Sequence, residues 1–271
     1  MILRGIAHVH SRWSYDGCHD LAEIADFARA RGLDFVLMSE HNRTLTDATM
    51  ADFVGECDAL TRATGVLVVP GIECEATPDH VHILGYGVRT LVRDRRVGAI
   101  ARAMRAAGGF VVFAHPVYRD ASSTVAADEL DELNGWEIWN GKADGGSYPS
   151  VDAIRGLMAL GARGTALAPM AGADLHRLEA YPGIVLEVTC ATRGPAEILD
   201  ALRRRAYRMR GGAWTYAASD PLREPAMTPR RALATATLGV RRRAKRMHAW
   251  LATRGLRAPA PMAHAARRLL K

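Results

Sequence analysis

Two histidines one residue apart, His8 and His10, and an aspartate further on, Asp16, place three metal-type side chains at the start of the chain. If residues 4–10 form a strand, side chains two apart point to one face and both imidazoles aim together. Asp16 then falls in the following loop, ahead of Gly17, which permits a tight turn. Imidazole and carboxylate are the ligands expected of zinc, manganese or iron sites. An H-x-H is a short motif that chance also produces, and His80-Val81-His82 is a second one here. The first stands out because later stretches keep supplying partners: His41, Glu73, His82, His115, Asp174 and His176.

Along the chain, short β-type runs alternate with helix-length segments. After the first strand, residues 21–31 carry apolar side chains at helical spacing and are closed by Gly32. Strands are expected at 35–38, 66–73, 82–86, 110–113, 136–140, 165–171, 184–188 and 206–209, and helices at 46–64, 95–107, 150–160 and 195–205. Alternation with near-continuous apolar strands predicts a mostly parallel sheet covered by helices. The polar residues His41, Glu73, His115, Asn140, Asp174 and His176 fall just after the strands, on the edge where α/β proteins build their sites. His80 competes with His82 as a ligand, and His82 is preferred because it directly starts its strand.

The chain has 271 residues, 49% of them hydrophobic and 24% charged, which suits a globular domain with a sizeable core. Its net charge of +7 is unevenly distributed. Residues 217–271 hold 13 Lys/Arg against 2 Asp/Glu, whereas residues 1–216 hold 23 against 27. The asymmetry predicts a body over 1–216 and a basic tail over 217–271. Within the tail, Thr228-Pro229 reads as a helix start and Gly255 as a stop. Leu233, Val240, Ala244, Met247 and Leu251 fall on one stripe, with Arg231, Arg242, Lys245 and Arg246 away from it. Residues 229–254 thus read as a basic amphipathic helix that docks on the body, lies on an anionic membrane surface, or holds nucleic acid. The membrane reading is preferred to the nucleic-acid one because the charges flank an apolar stripe. Cys18, Cys57, Cys74 and Cys190 form no C-x-x-C and are expected as free thiols. With no signal-peptide pattern and no long apolar run, the expected location is cytoplasmic, with the tail on the inner membrane face as an option. There is no P-loop, no G-x-G-x-x-G after a strand and no G-x-S-x-G.

The set His8-x-His10 then Asp16-Gly17, Ser-Glu-His41-Asn, Gly-Ile-Glu73, His82-Ile-Leu-Gly-Tyr, Ala-His115-Pro and Gly-Ala-Asp174-Leu-His176 resembles the polymerase and histidinol phosphatase (PHP) family of metal-dependent hydrolases, over roughly residues 4–212. One departure is Glu40, where the family more often has Asp. The resemblance implies a distorted (β/α)7 barrel, here with a basic helical C-terminal extension, and two to three divalent ions (Mn, Fe or Zn). It implies that His8, His10, Glu73 and Asp174 hold one ion, that Glu73 bridges to a second completed by His82 and His115, and that Asp16, His41 and His176 hold a third. Glu73, His115 and Asp174 are the expected catalytic residues. A bridging carboxylate suits paired ions, and a metal-activated water then needs no Ser or Cys nucleophile. The expected activity is hydrolysis of a phosphomonoester or of a nucleotide or oligonucleotide phosphodiester, on a small phosphorylated substrate or short nucleic acid. A carboxylic ester or carbamate hydrolase with the same site, and a non-catalytic metal-holding scaffold, are the alternatives. Arg12, Arg43, Lys142 and Arg177 beside the ligand motifs are the candidate phosphate clamps, Asn140 is expected to orient part of the site, and Trp13, Tyr15 and Trp139 are candidate stacking surfaces.

Overall fold

The computed structural model of the chain describes residues 1–77, 80–117, 125–144 and 148–224, with scattered positions from 228 to 247. Met1–Glu224 forms one compact unit and Pro225–Lys271 a second. A charge shift marks a change of surface, not the end of a sheet: the last strand runs over Trp214–Ala217, and Glu224 is still paired with Arg155, 2.8 Å away. Of the expected tail helix, Arg231, Arg242, Ala244, Lys245, Arg246, Leu251 and the stop at Gly255 lie outside the described residues. No helix of the described residues is long and apolar enough to cross a membrane.

The first unit comprises β1 (Ile2–Val9), α1 (Leu21–Ala30), β2 (Phe35–Met38), β3 (Glu40–His41), α2 (Asp47–Thr64), β4 (Leu67–Val69), β5 (Gly71–Ala76), β6 (Val81–Tyr86), α3 (Val97–Ala106), β7 (Phe110–Phe113), α4 (Ala127–Leu130), β8 (Gly135–Asn140), α5 (Val151–Ala162), β9 (Ala168–Gly172), β10 (Val185–Thr189), α6 (Pro195–Arg203), β11 (Tyr207–Gly211) and β12 (Trp214–Ala217). The helix ends follow local chemistry. Asp20 and Glu23 form a capping box before α1. Thr46 caps α2, which stops at the left-handed Gly65. α6 opens on Pro195. β2 and β7 are buried along their whole length, as their apolar runs require.

The strands form two six-stranded sheets, β12-β11-β10-β1-β2-β4 and β3-β5-β6-β7-β8-β9. This corrects the expected mostly parallel sheet, because β1–β10, β10–β11, β11–β12, β5–β6 and β6–β7 are all antiparallel. Alternation misleads at β6–α3–β7 for a specific reason. The segment after β6 first runs back beside β5, with Gly87 N donating to Pro70 O and Thr77 N to Arg95 O. α3 then returns the chain to the end it had left, so β7 pairs antiparallel to β6. The expected strand 66–73 breaks at Pro70, which lacks an N–H to donate. β4 accordingly pairs with β2, and β5 with β3. The two sheets meet at the C-terminal end of β1, where Val9 bridges Leu175 in parallel. There Ala173 N donates to Ala7 O at 2.8 Å and Leu175 N to His8 O at 2.9 Å.

Candidate metal centre

All nine residues expected as ligands converge at these strand ends. Glu73, on β5, is the hub. Its Oε2 lies 3.5 Å from His8 Nε2, 3.3 Å from His10 Nε2 and 3.6 Å from His41 Nδ1. Its Oε1 bonds His82 Nδ1 and lies 3.4 Å from His115 Nε2. Asp174 is a second centre, its Oδ1 3.7 Å from His8 Nε2, 3.9 Å from His10 Nε2 and 3.4 Å from His176 Nδ1. Asp16 reaches His41 Nε2 at 3.4 Å and His176 Nε2 at 3.0 Å. Three groups bring their donor atoms close enough to share an ion: His8, His10 and Asp174; His8, Glu73 and His115; and His10, Asp16, His41 and His176. His82 belongs to none of the three, its Nδ1 being engaged by Glu73. His80 turns away to Glu75, 3.0 Å from its Nδ1.

Regular strand alternation does not produce this convergence. The register of β1 on β2 shifts between Ala7 and Val9, and His8 sits at φ 61°. His115 and Asp174 also have positive φ, 30° and 50°, a region that non-glycine residues enter at a cost. The strands are thus bent where His8, His115 and Asp174 enter the cluster.

The electrostatics are those of a site built for cations. Burial would lower the His8 imidazole, but Glu137, Asp174 and Glu73 outweigh it and hold it well above its ordinary value. His10, buried among other imidazoles, is held well below it, with Glu73 only partly compensating. Burial would raise Glu73 and Asp174, yet the surrounding histidines, with Lys142 beside Asp174, keep both below the usual carboxylate range. His8 Nε2, His10 Nε2 and Asp16 Oδ1 are buried with no hydrogen-bond partner. Orphaned atoms of this kind are costly in a folded protein and call for a ligand. Imidazole nitrogens and carboxylate oxygens together fit a divalent transition metal.

Behind the candidate ligands stand residues that the sequence alone does not assign to the site. Glu137, fully buried in β8, bonds His8 Nδ1 at 2.8 Å and accepts from His115 N at 2.8 Å. A lone charge inside Trp136-Glu137-Ile138-Trp139 was the available signal, since a buried carboxylate must have partners. Glu40 accepts from Ser11 N, Ser11 Oγ and Ser14 Oγ, and burial pushes its carboxyl up to about 7. Ser14 Oγ in turn accepts from His41 N at 2.9 Å.

The expected substrate contacts divide. Lys142 Nζ stands 3.2 Å from His176 Nε2 and 3.8 Å from Asp174. Arg43 lies 4.3 Å over the Tyr15 ring, which stacks on His41. Arg12 instead donates to Cys18 O and is exposed, as is Arg177. Asn140 is fully buried, donating to Glu137 Oε2 and accepting from Lys142 N and Ala143 N. It orients its own loop and is not open to a substrate. Trp139 is buried beside Gly211 and offers no free stacking face, whereas Trp13 is half-buried with its indole N–H donating to Glu56 of α2.

No family model matches the sequence, and no curated protein is similar to it. Solved structures do match. A two-domain protein from Bacteroides vulgatus, containing a predicted PHP-like metal-dependent phosphoesterase, aligns with TM-score 0.58 and 17% identity over 78% of this chain. The chain shares that protein's mixed α/β fold. It spans 65% of the Bacteroides protein's length. PsfC from Pseudomonas syringae aligns with TM-score 0.56 and 16% identity, over 89% of this chain and 98% of its own. At such identities the PHP-like resemblance concerns the backbone, so the function rests on the site.

Proposed function

We propose that the chain is a PHP-type metal-dependent phosphoesterase that hydrolyses a phosphomonoester or a nucleotide or oligonucleotide phosphodiester. The observation that carries this reading is the set of buried, partnerless donor atoms on His8, His10 and Asp16, gathered around the Glu73 and Asp174 carboxylates. We read the two sheets as one distorted seven-membered ring of β1, β2–β3, β4–β5, β6, β7, β8 and β9, supported by the hydrogen bonds between the chain after β9 and β1. On this reading His8, His10, Glu73 and Asp174 hold one ion, Glu73, His82 and His115 a second, and Asp16, His41 and His176 a third.

Ions held there would supply Lewis acidity towards the substrate oxygen and a nucleophilic water near neutral pH. The chain's own part is to place and balance charge. Glu73 offers one oxygen to the His8/His10 side and the other to the His82/His115 side, the arrangement a bridging ligand needs. Lys142 and Arg43, each more than half exposed at the edge of the cluster, set two cations where an anionic substrate would enter. That pair of cations favours a phosphoester over a neutral ester. Ser14 is tied to Glu40 and His41 and serves the scaffold. The test is a panel of 4-nitrophenyl phosphate, bis(4-nitrophenyl) phosphate and 4-nitrophenyl acetate with added manganese. Turnover of either phosphate and not of the acetate is expected; turnover of the acetate alone would overturn the phosphoesterase reading.

A further inference from the structure

We infer that Glu137 is a positioning residue, which fixes the tautomer of His8 and ties that ligand to the strand end carrying His115. The inference rests on the metal-centre reading above. Glu137 is 1% exposed and lies between Trp136 and Ile138 in β8. Both of its oxygens are engaged. Oε1 is 2.8 Å from His8 Nδ1; Oε2 accepts from His115 N at 2.8 Å and from Asn140 Nδ2 at 2.9 Å. It belongs to none of the three groups that could share an ion, so its role is to act through others.

The consequence for His8 follows from imidazole chemistry. A neutral ring carries one N–H, and a carboxylate at Nδ1 draws it there, leaving the Nε2 lone pair free. Nε2 is the atom that is buried without a partner and faces Glu73 and Asp174. The same carboxylate holds the His115 backbone at φ 30° by its amide, so ligands from β1 and from the end of β7 share one anchor. Asn140 fixes that anchor from behind, being held by Lys142 N and Ala143 N. A glutamine here cannot serve all three donors. Whichever way its amide turns, an NH2 faces either His8 Nδ1 or the His115 N–H. If it faces His8, the ring must move its proton to Nε2, and the lone pair leaves the ions' side.

The experiment compares the full-length wild type with Glu137→Gln, each stripped and reconstituted with zinc, by chelator competition and elemental analysis. Metal ligands that lose an outer partner bind about 10- to 100-fold more weakly. That loss is expected for the ions held through His8, while an ion on Asp16, His41 and His176 is retained. Wild type that binds no zinc, manganese or iron overturns the metal centre and this inference with it. Wild type that binds zinc while Glu137→Gln binds equally tightly overturns the inference alone. Should the variant not fold, 15N-histidine NMR of zinc-loaded wild type decides. His8 protonated at Nδ1 is expected; His8 protonated at Nε2 would refute the positioning role.

Discussion

Gly172, the last residue of β9, is where the packing behind the site is least forgiving. A Cβ there would stand 2.0 Å from Glu137 Oε1 and 2.7 Å from His8 Cβ. Neither neighbour can step aside cheaply, because Glu137 is held by three hydrogen bonds and His8 by its strand. Gly172→Ala must therefore displace the carboxylate. Overpacking of this kind costs about 1–3 kcal/mol, and losing a hydrogen bond to a charged group about 1.5–3 kcal/mol. Together these give roughly 3–5 kcal/mol, which for a domain of this size lowers the melting temperature by on the order of 10 °C. The control is Gly161→Ala in α5, where an added Cβ meets nothing within 4 Å and helix propensity adds up to about 1 kcal/mol of stability. Circular-dichroism melts of the two variants against wild type make the measurement. A Gly172→Ala melt within about 2 °C of wild type would mean that Glu137 and His8 are not packed as described.

Four further outcomes are expected. Purified without chelator, the protein should carry two to three transition-metal ions per chain by elemental analysis. Stripping it with EDTA should lower the melting temperature, since each ion at 100 times its Kd stabilises the fold by about 2.7 kcal/mol; an unchanged melt refutes the site. Glu73→Gln should cut turnover of the responding nitrophenyl phosphate more than tenfold with the far-UV spectrum unchanged, because one carboxylate faces five imidazoles. Retention of most activity would show that Glu73 does not bridge. Glu40 gives a pH test: burial lifts its carboxyl from 4.5 to about 7, so between those values the metal-free native chain keeps a proton that the unfolded chain releases. Its contribution is favourable at acid pH and is lost as pH rises through that window, by roughly 3 kcal/mol. Urea melts of Glu40→Gln should lack this part of the decline; parallel wild-type and variant slopes would remove Glu40 from the account.

That these nine residues would gather at one edge was legible in the sequence because of how apolar strands end. A run such as Phe110-Val111-Val112-Phe113 has only one polar stop, and in this architecture those stops gather on one edge. Direction was harder to read. A helix between two strands usually signals a parallel pair, and only the long return of the chain after Tyr86 makes β6 and β7 antiparallel. β3 has two residues and pairs only because β5 lies beside it. Adjacency in sequence also failed to give orientation. Arg12 and Lys142 both neighbour ligand motifs, but Arg12 turns to Cys18 O while Lys142 meets His176. Glu137 was visible as a charge in an apolar strand, but its partners come from β1 and the end of β7 and are long-range in sequence.

The places where local rules are broken are themselves informative. His8, His115 and Asp174 adopt positive φ, a conformation that costs about 1–3 kcal/mol each outside glycine. A chain selected for stability alone would place glycine there or straighten the strands. All three instead carry metal-type side chains and face a shared centre through Glu73 or Asp174. Their strain persists because neighbours over-determine it: the register shift in β1, the Glu137 carboxylate at the His115 amide, and the bonds of Leu175 and Ala173 to β1. Crowding Asp16, Glu73 and Asp174 among six imidazoles adds a second unfavourable term, because ordinary hydrogen bonding leaves His8 Nε2, His10 Nε2 and Asp16 Oδ1 unsatisfied. Cations held by these groups would meet both costs at once, by taking up the orphaned atoms and holding the bent strand ends in place. His8 carries both the strain and an orphaned atom, and the other strained and orphaned groups lie around the same Glu73 and Asp174 carboxylates, an arrangement that a bound metal would account for better than packing does.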